Sequence, residues 1–416
     1  MIIALCLLSI VSAQACTTAI VSGRCTPDGR PILFKNRDTG SRQNKLMYFS
    51  DGDYDYIGVV SVSDTLGSRV WSGVNSAGFA IMNSLSYNMN FDDTTQVKDK
   101  DNGTFMKLAL ERCATLADFE RLLEEQPKPL GVQANFGVID AHGGAAYYEA
   151  GHYEYTKIDA NDPSVAPFGY IIRTNYSATG PVNEGHGYIR YLTAENLFYS
   201  AVAVNDLSAR FIVGDIIRCL KHSLTKTDLW DMMPRDSRER CFVPFEDFIP
   251  RLSTASSTVV HGVREGEPPE LSTMWTILGF PLCSVAFPTW VAAGDKLPEI
   301  AAGDEETGKA PLGVLSFELR KRCFPITRGS GARYLDLSVV LNEAGTGYLQ
   351  QLAPIESEIM DETDRKLSKW REKGFSGSDA RKLYKKVDKL VTGGYERRFG
   401  LKAEDLMKEE TDTDDQ

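Results

Sequence analysis

Residues 16–38 read CTTAIVSGRCTPDGRPILFKNRD, and this stretch decides the architecture of the chain. Residues 17–22 and 31–35 are short runs of branched and apolar side chains. Between them lies Pro27-Asp28-Gly29-Arg30, whose proline, aspartate and glycine carry turn chemistry. Two such runs around such a turn predict an antiparallel hairpin. The hairpin brings Cys16, at the start of one strand, towards Lys35-Asn36-Arg37-Asp38 at the end of the other. Taken alone, the charged run reads as a solvated loop. Beside a cysteine, its cations Lys35 and Arg37 would favour a thiolate.

The residues upstream change the meaning of Cys16. Residues 1–15, MIIALCLLSIVSAQA, form an apolar run ending in Ala13-Gln14-Ala15, a small-residue cleavage pattern. The run is too short to span a bilayer and has no Lys or Arg before it. It predicts a signal peptide over 1–15 and a secreted or periplasmic product; a buried first strand is the alternative. Cleavage after Ala15 leaves Cys16 as the first residue. A lipoprotein would also begin at cysteine, but the leucine expected three positions upstream of a lipidation site is absent.

A free α-amine titrates near pH ~7.7–8.0 when unperturbed. It can therefore take a proton near neutrality from the thiol of its own residue, so that Cys16 supplies nucleophile and base together. Asp38 is placed to hold and tune that amine.

Outward from the hairpin, strand patterns continue at 56–62, 69–74 and 79–83, then at 134–140, 145–149 and 169–174. Helical spacing occupies 105–113 and 116–125, the second with Thr115 as N-cap and Asp118 at its third position. Segments 193–203 and 215–221 have helical patterns, and strands return at 257–263, 275–279 and 284–287. From Glu356 charge dominates, with amphipathic helices over 360–370 and 380–390 and an acidic end at 408–416. Strands and helices in separate blocks predict an α+β fold. The expected division is a signal over 1–15, one domain over 16–355, and a helical C-terminal appendage over 356–416.

The motif Cys16-Thr17-Thr18-Ala19 at a processed N-terminus, followed by a hairpin and Lys35-Asn36-Arg37-Asp38, resembles the N-terminal nucleophile hydrolases of the choloylglycine hydrolase and penicillin V acylase family. It is most similar to the linear-amide branch related to isopenicillin N acyltransferase and acid ceramidase. The family pattern after the hairpin is G-R-N-x-D. Here Asp38 falls on the family Asp, Lys35 stands for the Arg, and Phe34 replaces the Gly. Lys keeps the charge but loses the planar fork. The resemblance implies a four-layer αββα sandwich. It also implies an oxyanion hole from the backbone N–H of Asn83 and the side-chain amide of Asn175. Read without it, both asparagines are turn residues, and Asn175-Tyr176-Ser177 is a glycosylation sequon. The late Arg found in bile-salt hydrolases has only loose candidates here, Arg251 and Arg264. The resemblance implies no metal or organic cofactor.

Composition narrows the partners. The 46 Lys and Arg against 57 Asp and Glu give a net charge of −11, with no basic face for nucleic acid. Beyond residue 15 no apolar run is long enough to span a membrane. Gly303 to Lys309 falls short of a phosphate loop, ending in Ala310 and carrying three acids, and Gly329-Ser330-Gly331 lacks the third glycine of a dinucleotide fingerprint. The five histidines have no metal spacing; His186, between two glycines, reads as a surface turn. Removing Cys6 with the signal leaves seven cysteines, an odd number, so at least one thiol stays unpaired within the chain. Tyr48, Phe49, Tyr54, Tyr56 and Trp71 read as core aromatics or as the lining of an acyl pocket. The expected function is hydrolysis of a linear amide in a small N-acyl substrate. The alternatives are acyl transfer on the same fold and a non-catalytic secreted or lipid-anchored binding protein. The sequence leaves the substrate and the oligomeric state open.

Overall fold

The computed structural model describes residues 15–90, 92, 93, 95, 97 and 100–411, without side chains for 409–411. The expected signal at 1–15, apart from Ala15, and the last five residues of the acidic end lie outside them. Strands β1 (Cys16–Val21) and β2 (Ile32–Asp38) pair antiparallel, with Cys16 opposite Arg37 and Thr18 opposite Lys35. The hairpin expected from the sequence is present.

Seven strands then follow one another. They are β3 (Asn44–Phe49), β4 (Tyr56–Ser61), β5 (Ser72–Asn75), β6 (Ala80–Leu85), β7 (Ala134–Ile139), β8 (Ala145–Ala150) and β9 (Tyr155–Asp159). They form one antiparallel meander in sequence order. Between β6 and β7 run helices α1 (Asn102–Arg112) and α2 (Leu116–Glu125). The expected N-cap of α2 is there: Thr115 Oγ1 accepts from the Asp118 N–H, and Asp118 Oδ2 accepts from the Thr115 N–H.

The chain returns to the first sheet with β10 (Tyr170–Arg173), then continues through α3 (Tyr188–Ala203), β11 (Thr254–His261), β12 (Thr273–Leu278) and β13 (Phe287–Thr289). That sheet has the order β10-β1-β2-β11-β12-β13. Helices α4 (Pro311–Cys323), α5 (Tyr348–Lys373), α6 (Gly377–Phe399) and α7 (Ala403–Thr411) complete the described chain.

Strand alternation explains the layering. In the meander, Ile57, Val59, Ala145 and Tyr147 face the first sheet and share one core with Ile20 and Leu33. Their neighbours Tyr56, Val60, Ala146 and Tyr148 point the other way, onto Phe105, Leu110, Phe119 and Leu123 of α1 and α2. Helices α3, α4 and α5 cover the far side of the first sheet. The result is a four-layer αββα sandwich, the architecture that the resemblance implied.

Two segments differ in form from the sequence pattern. The helix expected over 215–221 lies earlier, as a helical turn at Ala209–Phe211 that runs into a π-type turn at Ile212–Ile216. Just after it, Arg218 Nη1 donates to the Val213 carbonyl at 2.7 Å. The boundary expected at 356 falls inside α5. The apolar sides of α5 and α6, including Ile359, Trp370, Leu383, Val387 and Tyr395, belong to the same core as the sheets. Trp290, just beyond β13, packs edge-on against Trp370 at 5.1 Å.

Candidate functional site

Residues paired across an antiparallel ladder point to the same side. The β1–β2 register therefore puts Cys16, Arg37, Thr18 and Lys35 on the face turned towards the meander. Lys35 Nζ donates to the Trp71 carbonyl at 2.6 Å and to Asn83 Oδ1 at 2.7 Å. Arg37 Nη1 donates to Asn44 Oδ1, Nη2 to Ser61 Oγ at 3.2 Å, and the guanidinium lies 4.6 Å from the Trp71 ring centroid. The Cys16 sulfur thus shares its face with two buried cations.

The alternate residues of β2 point outward. Asn36 is anchored by the carbonyls of Ile217 and Ile249 and by Ser257 Oγ. Asp38 Oδ1 accepts from Thr254 Oγ1 at 2.6 Å, and Arg251 Nη1 stands 3.9 Å from Oδ2. Oδ2 is buried and has no hydrogen-bond donor among the described residues. The charges carry the mark of this burial. Desolvation lowers Lys35 to about 8, while Cys16 and Asp38 pull it back up and Arg37 pushes it further down. Arg37 is lowered to about 10 by the same cause, opposed by Cys16. Burial pushes the Asp38 carboxyl up, against the pull of Arg251 and Arg190.

The nitrogen of Cys16, in peptide linkage to Ala15, has its partner far along the chain. Asn175 Oδ1, 159 residues away in sequence, accepts the Cys16 N–H at 2.9 Å. Asn175 follows β10, which pairs with β1, and its backbone is clamped to His186 by a two-way bridge of 3.1 and 3.2 Å. Its Nδ2 donates to the Leu85 carbonyl at 2.9 Å. Asn175 is fully buried with its amide engaged, so the sequon is closed to glycosylation.

Arg190 on α3 is the residue that sequence reasoning missed. It is buried and donates to the Cys16 carbonyl at 2.5 Å, to Thr17 Oγ1 at 2.8 Å and to Asn175 Oδ1 at 2.8 Å. It ties the proposed nucleophile strand to the amide beside it. Gly187 makes room for this: its φ is +88°, and a Cβ there would lie 2.4 Å from Arg190 Nη2. The Gly187 to Arg190 spacing was the one visible signal, and it is too common to stand out.

The structure thus brings Cys16, Lys35, Arg37, Asn83, Asn175 and Arg190 together. Asp38 sits on the neighbouring face, one residue beyond the partner of Cys16. Asn83 lies on β6 opposite Phe136, its side chain held by Lys35. Of the two late arginines, Arg251 faces Asp38, whereas Arg264 pairs with Glu267 away from the site. Of the five aromatics, Trp71 borders the site, while Phe49 and Tyr56 stack at 4.7 Å in the core under α1. His186 is exposed, its ring edge-on to Tyr87 at 4.7 Å.

Residues 25–196 match the sequence profile of a family described as acyl-coenzyme A:6-aminopenicillanic acid acyl-transferase. The match bears out the resemblance read from the hairpin; it begins nine residues after Cys16. No curated protein gives a significant sequence match. Solved structures similar to the chain include a mutant conjugated bile acid hydrolase from Clostridium perfringens, at 11% identity and TM-score 0.41, covering 67% of this chain and 93% of that one. Penicillin V acylase from Agrobacterium tumefaciens has 13% identity and TM-score 0.38, covering 68% and 87%. The Caenorhabditis elegans ortholog of N-acylethanolamine-hydrolyzing acid amidase has 12% identity and TM-score 0.37, covering 61% and 92%.

Proposed function

We propose that this chain is an N-terminal-cysteine hydrolase that cleaves a linear, non-peptide C–N amide of a small N-acyl substrate. The observation that carries the reading is the 2.9 Å hydrogen bond from the Cys16 nitrogen to Asn175 Oδ1, which puts a side-chain amide beside the nucleophile. With residues 1–15 removed, the Cys16 nitrogen becomes an amine able to take the thiol proton. It also gains hydrogens, and the donor-less Oδ2 of Asp38 is the acceptor we assign to them. Cys16 Sγ attacks the substrate carbonyl carbon. The oxyanion is held by the Asn175 amide and the Asn83 N–H. The C–N bond breaks, the amine leaves with the proton held by Cys16, and water resolves the thioester. No cofactor takes part in these steps.

The profile match to an acyltransferase family favours one second reading, in which an amine replaces water as acceptor. Adding acceptor amines to the reaction and weighing the products separates the two.

Export and cleavage before Cys16 are part of the proposal. Ala15 and Cys16 are both buried while joined. A peptidase acting from outside must therefore cut before this part of the chain folds. Mass spectrometry of the exported protein is expected to find Cys16 at the N-terminus, free of lipid. A protein that keeps residues 1–15 and is fully active sinks the mechanism, and a lipidated Cys16 favours a binding protein.

Lys35 gives a pH prediction. Its ammonium, lowered to about 8, is charged below that pH and neutral above it. As pH rises through this value the Cys16 thiolate loses one of its two cations. The expected result is a fall in kcat on the alkaline side with a midpoint near 8. Lys35→Arg keeps the charge at all these pH values and is expected to remove that limb. An unchanged alkaline limb in the variant refutes the assignment.

A further inference from the structure

We propose that Cys283 and Cys323 form a disulfide when the chain matures in an oxidising compartment. Their sulfurs are in contact, Sγ to Sγ 3.3 Å, across 40 residues of sequence, and both are reduced thiols in the structure. Both residues are fully buried. A disulfide needs the sulfurs at about 2.05 Å, so they must approach by about 1.3 Å more.

The backbones that carry them are already held at this approach. Cys283 ends the short turn Pro281–Cys283 that follows β12, and Cys323 ends α4. Ser316, one side of α4, accepts the Phe280 N–H at 2.9 Å through its Oγ and donates back to the Phe280 carbonyl at 3.3 Å. Gly279 lets the helix come this close: its φ is +88°, and a Cβ there would lie 2.4 Å from Ser316 Oγ. From the other side, Tyr395 Oη on α6 donates to the Cys283 carbonyl at 2.6 Å. The bond would therefore staple two elements that packing has already aligned.

The four other described cysteines besides Cys16 have different surroundings; Cys241 is half-buried, its N–H donating to Asp336 Oδ1 at 3.4 Å. Cys25 Sγ lies against the carbonyls of Ser22 and Gly169, Cys113 is in the core under α1, and Cys219 lies against the Lys221 backbone. Pairing Cys283 with Cys323 leaves five described cysteines as thiols, Cys16 among them.

The oxidant is a protein disulfide of the thiol-oxidoreductase class. One cysteine thiolate attacks it to form a mixed disulfide; the second thiolate then displaces the oxidant. The Cys283–Cys323 bond forms, the oxidant's S–S bond breaks, and the two protons of the cysteine thiols end on the oxidant's sulfurs, so that it leaves as a dithiol. Because both sulfurs are buried in the finished fold, this exchange takes place while the chain is folding.

The test uses the chain beginning at Cys16, made in the cytosol of a host that lacks thiol reductases, so that it does not depend on export or catalysis. Free thiols are alkylated in denaturant without reductant, and the digest is mapped by mass spectrometry. The expected result is one linked peptide pair containing Cys283 and Cys323, lighter by two hydrogen atoms than the reduced peptides, with Cys16 alkylated. Reduction is expected to lower the thermal midpoint by roughly 5 °C. The Cys283→Ala, Cys323→Ala double variant is expected to show no such shift. Alkylation of both residues in the unmodified protein, or a link from either to another cysteine, overturns the proposal.

Discussion

Replacing Cys16 by alanine abolishes amide cleavage and leaves the fold in place. The proposed reaction has one nucleophile; the other candidates on this face are engaged, Thr18 Oγ1 with the Arg173 carbonyl and Tyr147 Oη, and Lys35 Nζ with the Trp71 carbonyl and Asn83 Oδ1. The structural cost is small: Cys16 is buried at the end of a strand, and removing one sulfur costs about 1 kcal/mol. Serine keeps the size but ionises far less readily, so Cys16→Ser is expected to retain only a trace of activity. Cys113→Ala is the control. Cys113 lies in the core beneath α1, on the outer side of the meander, and its loss is expected to change stability alone. The measurement is turnover of a panel of N-acyl amides together with circular dichroism. Equal loss of turnover in the two folded alanine variants removes Cys16 from its assigned role.

Asn175→Ala lowers kcat by about 10²–10³-fold while KM changes little, because the oxyanion it is assigned to bind exists only along the reaction path. The structure adds a second effect. Asn175 Oδ1 accepts from both the Cys16 nitrogen and Arg190 Nη2. Alanine leaves a buried guanidinium short of one acceptor, at a cost of about 2 kcal/mol. A fall in the thermal midpoint should therefore accompany the loss of rate. Arg190→Lys separates the two effects, because it weakens the support and leaves the Asn175 amide in the site. Its kcat is expected to fall less than that of Asn175→Ala. If Asn175→Ala turns over substrate at the normal rate, Asn175 is only part of the scaffold and the oxyanion is held elsewhere.

Parts of the fold escaped the sequence reading for identifiable reasons. Helix α4 buries Leu312, Val314, Leu315, Ser316 and Leu319 around most of its circumference, so it shows no apolar stripe. Strand β9 is a half-exposed sheet edge, and its residues alternate too weakly to stand out. In α5 and α6 the charged residues drew attention to a solvated exterior, although Ile359, Trp370, Val387 and Tyr395 are part of the central core.

What the sequence determined by itself is what short-range physics encodes. The turn at residues 27–30 joins two strands, Thr115 and Asp118 start α2, and blocks of strand and helix point to an α+β fold, while the sandwich came from the resemblance alone. The hairpin also carried Cys16, Lys35, Arg37 and Asp38 into one neighbourhood, because a strand register is set within some twenty residues of chain. Only the tertiary structure decided which groups touch the Cys16 backbone. Asn175 reaches its nitrogen from 159 residues away, and Arg190 reaches its carbonyl from 174. Neither contact leaves a trace in local periodicity. They arise because β10 pairs with β1 and because α3 packs on that edge of the sheet. It was likewise the pleat of β2, set between two sheets, that turned Lys35 and Arg37 towards the sulfur and Asp38 away to Thr254.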